Sequence, residues 1–357
     1  MRLTAMAAPA VRVGGRTLLA QSSEASEWRT YEMTTSVRVA NPSGRTRVWL
    51  PLPLAARTIF QQVLSGAVQC GGGKTSIHED PRTNMRMLLA DFPANQPAVL
   101  VTTQRVNTRN WSVPLRKPYS GAKTTIPGSA AEFVRPTHYV PTNGIVKERA
   151  DEITKGATTD LEKTRAIYGW IVKNTYRNPK VRGCGVGNIR PMLETGDLGG
   201  KCADLNALFV GLVKAAGVPA RDVYGLRLGH SNMECTSLGT SSGSVEKAQH
   251  CRAEVFLTGF GWVPMDPADV RKAILEEPPG NLSLSDPKIQ LVQDRLFGSW
   301  EMNWMAFNYA QDVVLPGSSG PPLAFFMYPQ AETEEGRLDP LDPVNFHYEI
   351  SSRELVG

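Results

Sequence analysis

Gly199-Gly200-Lys201-Cys202-Ala-Asp-Leu-Asn-Ala-Leu-Phe-Val-Gly-Leu-Val-Lys-Ala-Ala-Gly217-Val-Pro219 is the segment whose reading decides the fold. Two glycines close a loop and a cysteine opens an apolar run. Leu205, Leu208, Phe209, Leu212 and Val213 recur at spacings of three and four, which predicts a helix over 202–216 with one buried face. Gly217 stops it and Pro219 prevents its return. Cys202 then begins a helix, where unpaired N–H groups and the positive dipole end favour thiolate over thiol. The same N–H groups can stabilise an oxyanion, and the preceding glycines let a substrate backbone come close. A lone cysteine in a helix is more often a small buried apolar residue. The choice between the two readings rests on what lies outward from it.

Downstream, Gln249-His250-Cys251-Arg252-Ala253-Glu254-Val255-Phe256-Leu257 leads through Thr258-Gly-Phe-Gly261 into Trp262-Val-Pro-Met-Asp266-Pro267. This predicts a β-hairpin, with strands also over 221–228 and 251–257. Residues 250, 252 and 254 share one face. An odd number of connecting residues puts Asp266 on that face with His250, and a four-residue loop puts it on the other, so sequence permits the pairing without fixing it. Cys202, His250 and Asp266, on a helix start and a following hairpin, form the set a thiol nucleophile needs: attacker, base and a group that orients the base through its Nδ1–H.

Here the residues resemble the transglutaminase-like superfamily. The run from Gly199 to Arg221 is similar to its nucleophile helix, and His250 to Leu257 with Gly261 to Pro267 is similar to its histidine and aspartate motifs. The resemblance is specific over about residues 145–275. It implies an α+β, papain-like transglutaminase core with Cys202 as nucleophile, His250 as base and Asp266 as orienting acid. It also favours a periplasmic or secreted location, since bacterial stand-alone members are often exported, with a cytoplasmic one as the alternative. Many members carry an aromatic two residues after the histidine; Arg252 stands there instead, a departure that touches a neighbouring subsite and leaves the three site residues intact.

Upstream, Tyr31–Val39 mostly alternates, Arg47–Leu54 and Ala98–Val106 are further strand candidates, and Asn41–Gly44 and Cys70–Lys74 supply turns. These predict a small β-sandwich. Pro114–Pro127 reads as a linker, and Ala150–Thr175 as one helix with Ile153, Leu161, Ile167, Ile171 and Val172 on its apolar positions. After Pro278 no clean period remains. The aromatics there (Trp300, Trp304, Phe307, Tyr309, Phe325, Phe326, Tyr328) are expected to pack on the preceding domain, with a substrate-groove wall as the alternative. The expected division is a terminus over 1–24 (a degraded signal or disordered), a β-rich domain over 25–140, the catalytic domain over 141–277, and an irregular extension over 278–357 packed on the core.

The 357 residues carry a net charge of +5, spread without a basic run, so no nucleic-acid partner is expected. No apolar stretch approaches the ~20 residues of a membrane helix, so no integral membrane segment is expected. The five cysteines include no CxxC pair; Cys70, Cys184, Cys235 and Cys251 are expected to be buried or disulfide-bonded, and no metal site is expected. Gly71-Gly-Gly-Lys74-Thr75 lacks the first glycine of a phosphate loop, since position 68 is Val68; no cofactor is expected. The glycines of Arg182-Gly-Cys-Gly-Val186 either shape a cleft or only make turns. The resulting expectation is a hydrolase of amide or peptide bonds in proteins or peptides, working through a thioester. The alternatives are a cross-linking acyltransferase with the same residues, and a binding scaffold without turnover.

Overall fold

The computed structural model describes residues 28–355 except 41, 117, 119–124, 234 and 242. The expected terminus over 1–24 and part of the expected linker lie outside these residues. Period-two alternation builds the first strands. β1 (Arg29–Val39) buries Tyr31, Met33, Val37 and Val39 on one face. β2 (Thr46–Leu52), β3 (Gln61–Gly71), β4 (Lys74–Asp80), β5 (Met85–Phe92), β6 (Ala98–Thr108) and β7 (Trp111–Ser112) follow. The glycine run after Cys70 is the turn from β3 into β4. A strand follows it where a phosphate loop would lead into a helix.

α1 (Gly128–Ala131), α2 (Ile145–Ile153) and α3 (Asp160–Asn174) come next. The single helix expected over 150–175 is therefore two. Gly156 has φ +88°, and Thr159 starts α3 with a capping box, its hydroxyl accepting from Glu162 N (3.2 Å) while the Glu162 carboxylate accepts from Thr159 N (3.0 Å). The chain continues through β8 (Tyr176–Arg177), α4 (Ile189–Thr195), β9 (Gly199–Gly200), α5 (Cys202–Ala215), β10 (Ala220–Arg227), β11 (Gly243–Ser244), β12 (Gln249–Leu257), β13 (Gly261–Met265), α6 (Pro267–Glu276) and α7 (Pro287–Arg295). It ends with β14 (Ser299–Trp300), β15 (Trp304–Asn308), β16 (Gln311–Val313), β17 (Leu323–Phe325), β18 (Gln330–Thr333), β19 (Gly336–Leu338) and β20 (His347–Leu355).

The core is an antiparallel sheet in the order β13-β12-β10-β15, with α5 packed on β12 and β10. α5 is buried on nearly every side and not on one face only, because α2, α3, α4 and α6 also pack against it. Two five-stranded sheets, β11-β20-β1-β6-β3 and β19-β18-β2-β5-β4, make the sandwich. Val37, Leu50, Leu88, Phe92, Leu100 and Phe346 form one apolar cluster in it.

The expected division at 278 does not follow these sheets. β15 completes the core sheet and β18 and β19 extend the second sandwich sheet. β20 pairs with β1 along its length, from Thr30↔Leu355 to Arg38↔His347. Strands as short as β14 to β19 hold too few residues for a period to be read, and β20 carries mostly polar residues on its exposed positions. Trp300, Trp304, Phe307 and Phe326 are buried, in line with the packing expectation. Phe60 stacks on Trp111 at 5.3 Å, Trp111 meets Trp300 edge-on at 5.2 Å, and Trp300 meets Trp304 at 5.4 Å, which ties the sandwich to the core. Among the described residues, no helix is long and apolar enough to cross a membrane.

Candidate active site

The hairpin closes through three residues, pairing from Leu257↔Gly261 to Ala253↔Met265. The odd connection carries Asp266 opposite Arg252, on the face of His250. Asp266 is fully buried at the N-terminus of α6, and its two oxygens divide the work. Oδ2 lies 2.7 Å from His250 Nε2. Oδ1 accepts from Asp269 N (3.1 Å) and Asn206 Nδ2 (3.2 Å). A carboxylate only accepts, so the proton of this contact sits on Nε2. The expected Nδ1 contact is thus corrected: Nε2 faces the acid, and Nδ1 is left for the other side of the ring. The carboxylate that faces His250 thus also caps α6 through Asp269 N.

Neighbours fix this pair in place. Asn206, one turn into α5, also donates to Cys251 O (2.9 Å) and accepts from Ala268 N (3.3 Å), linking helix, hairpin and α6. Trp304 Nε1 donates to His250 O (2.8 Å). Asp269 Oδ2 lies 3.4 Å from His250 Nε2. Burial and Arg227 pull the His250 pKa down, but Asp269 and Asp266 outweigh them and leave it raised above 6.5. Burial and the charge of Asp269 push the Asp266 carboxyl up, against His250 and Arg252.

His250, Asp266 and Asp269 present ligand-type atoms within 4.8 Å of one another. Arg227 Nη2 lies 2.5 Å from Asp269 Oδ1, and Arg252 Nε lies 3.7 Å from Asp266 Oδ2. Two buried guanidinium groups therefore already balance both carboxylates, and the cluster does not need a cation for charge.

Cys202 opens α5 as predicted, at 4% exposure on the wall of a cleft that His250 also lines. Its N–H has no acceptor among the described residues, whereas Ala203 N already donates to Cys184 O (2.9 Å). The Cys184 and Cys251 thiols, and then His250, hold the Cys202 thiol well below its usual range against the opposing effect of burial. The other four thiols shift the opposite way, Cys235 to about 12 through burial. None of the five is in a disulfide. The glycines at 183 and 185 both make a turn and shape the site. Gly185 has φ +91°, and a Cβ there would lie 1.9 Å from the Asp204 carboxylate, which accepts from Val186 N and Gly187 N at 3.0 Å each.

The cleft holds about 720 Å³. Cys184, Lys201, Gln249 and Tyr328 line it beside Cys202, and Leu341, Phe346 and Tyr348 bring the sandwich into its wall. Sequence reasoning missed Asp269, Arg227, Asn206 and Cys184. Asp269 had a signal, as a second acid in the first turn after a capping aspartate. Arg227 had none, since it joins the site only through sheet pairing.

The model of the transglutaminase-like superfamily matches residues 147–267, which carry all three site residues. An uncharacterized protein of Haemophilus influenzae is 36% identical over 349 residues, covering 91% of each chain. The solved structure of a proposed cysteine protease from Cytophaga hutchinsonii superposes with a TM-score of 0.52 at 15% identity, over 92% of this chain and 99% of that one. The periplasmic domain of TgpA from Pseudomonas aeruginosa aligns more loosely, with a TM-score of 0.33 at 16% identity over 66% and 91% of the two chains. At 15% identity the Cytophaga hutchinsonii structure speaks for the fold alone; the matched motif region and the near full-length relative show that this chain is a member of the transglutaminase-like superfamily.

Proposed function

We propose that the chain is a cysteine-dependent hydrolase of amide bonds in peptides or proteins, with Cys202 as nucleophile, His250 as acid–base and Asp266 as the group that orients it. The observation that carries the reading is the 2.7 Å His250–Asp266 contact beside a cleft into which Cys202 opens from a helix N-terminus. The Cys202 thiolate attacks the carbonyl carbon and the oxyanion takes the free N–H of Cys202. His250, charged in the resting pair, gives its proton to the leaving nitrogen; the C–N bond breaks and a thioester remains. Neutral His250 then takes a proton from water, hydroxide adds to the thioester, and the acid leaves as the thiolate re-forms. Asp266 keeps one proton on Nε2 throughout, so that the proton given to the leaving nitrogen and regained from water is carried by Nδ1.

Hydrolysis is preferred to cross-linking because water needs no second binding site. Mass spectrometry of the protein quenched during turnover of a fluorogenic peptide amide tests the reading. The expected result is an acyl adduct on Cys202 that decays to free acid, with no adduct on Cys202→Ala. Decay chiefly to an amide when a primary amine is added would assign acyl transfer, and no adduct with any peptide would leave a binding scaffold.

A further inference from the structure

The cleft is electrically one-sided. Its lining includes six cations, Arg177, Arg182, Lys201, Arg227, Lys247 and Lys272, and one carboxylate, Glu246. Some of this charge is already spent. Arg227 is paired with Asp269, Arg182 with Asp339 at 2.5 Å, and Arg177 and Lys272 share the single carboxylate of Glu276. Among the described residues the lysines with a carboxylate within 4.0 Å are Lys147, Lys272 and Lys288, so Lys201 and Lys247 have none. Six cations against four carboxylates leave an excess of two positive charges around the nucleophile.

A second observation is independent of charge. Gln249, directly before His250 and 8% exposed, lines the cleft, and its Nε2 is buried with no acceptor. Buried donors are ordinarily paired, and an orphan in a cleft wall is matched when a ligand brings an acceptor oxygen. Uncommitted donors, Lys201 and Gln249, thus adjoin both Cys202 and His250 in sequence. Tyr328, Leu341 and Tyr348 give the same cleft apolar surface for the rest of a bound chain.

We propose that the site is selective for acidic peptides, with a carboxylate within one or two residues of the scissile carbonyl bound by Lys201 and Lys247, and with Gln249 donating to a substrate oxygen. This rests on the cysteine chemistry proposed above and adds the class of substrate. Lys201 precedes the nucleophile directly, so its ammonium reaches only groups close to the bond being broken.

The test uses three irreversible peptide electrophiles on the full chain. They are identical except for Glu, Gln or Lys next to the reactive carbonyl, and inactivation rates are read with peptide mapping of the adduct. On the wild-type protein the Glu probe should label Cys202 about tenfold faster than the Gln probe, the gain of one charge facing two cations, and the Lys probe should be slowest. The Glu preference should shrink in 0.5 M salt, where exposed charges are screened over about one contact distance. It should fall toward one in the Lys201→Gln/Lys247→Gln variant. Equal labelling of Cys202 by all three probes overturns the charge selectivity and leaves the cysteine chemistry standing. No labelling of Cys202 by any of them overturns both. An undiminished Glu preference in the double variant overturns the assignment to these two lysines.

Discussion

At the scale of single residues, the site turns on how charge is shared around His250. Two carboxylates raise its pKa against burial and Arg227. The proposed mechanism has thiolate and imidazolium as the resting pair, in keeping with a lowered Cys202 and a raised His250, and so predicts that activity falls on the alkaline side as His250 gives up its proton. The alkaline limb of kcat/KM should therefore lie above the ordinary 6.5. Asp266→Asn removes one raising carboxylate and should move that limb to lower pH. It should also cut turnover by about 10²-fold or more, because Asn cannot hold the imidazolium and favours the wrong tautomer. Asn caps helices as well as Asp, so lost capping would not account for a shifted limb; a pH–rate profile with an unmoved limb and near-normal turnover would remove Asp266 from the mechanism. The three residues proposed for the site could be singled out in the sequence because each stands in a local motif: a glycine pair before a helix, and the two ends of a hairpin. Arg227 and Cys184 were not, since they lie on segments that reach the site only through tertiary packing. The ring nitrogen facing Asp266 was misread for the same reason, being set by the approach of α6.

At the scale of elements, β15 pairs with β10 at the edge of the core sheet and holds the hairpin through Trp304, whose Nε1 donates to His250 O. Gly225 of β10 pairs with His250, and a Cβ there would lie 2.1 Å from Met305 O and 2.5 Å from the Trp304 ring. The missing side chain is what lets Trp304 sit close enough to hold the His250 carbonyl. Gly225→Ala should destabilise the protein by about 1–3 kcal/mol through overpacking and slow turnover by displacing His250. Denaturant midpoints check the first effect; an unchanged midpoint would mean that β15 is free to shift. Sequence period was enough for α5, β10 and the hairpin, whose residues repeat regularly over eight or more positions or are bounded by turn residues. It failed to split 150–175, because the apolar spacing continues across Gly156 while the capping box at Thr159 restarts the helix.

At the scale of the whole molecule, the sandwich and the core share a wall of the cleft and an aromatic seam. β7 pairs with β14 at Trp111↔Trp300, and the last strand, β20, closes the first sheet on β1. A protease cut between 114 and 127 should thus leave two fragments that co-elute on gel filtration, although the connection there reads as a linker; separate elution would show that the seam does not hold them. Strands β18 and β20 were illegible because their partners β2 and β1 lie about 300 residues earlier, as in Gln330↔Trp49 and Thr30↔Leu355, and pairing at that distance leaves no local pattern. The central claim, that Cys202 is the activated thiol of this assembly, has a direct measurement. Limiting iodoacetamide at about pH 6, where an ordinary thiol is protonated, is followed by peptide mapping of all five cysteines. The account predicts Cys202 alkylated well ahead of Cys70, Cys184, Cys235 and Cys251; first labelling of Cys184 or Cys251, or even labelling of all five, would contradict it.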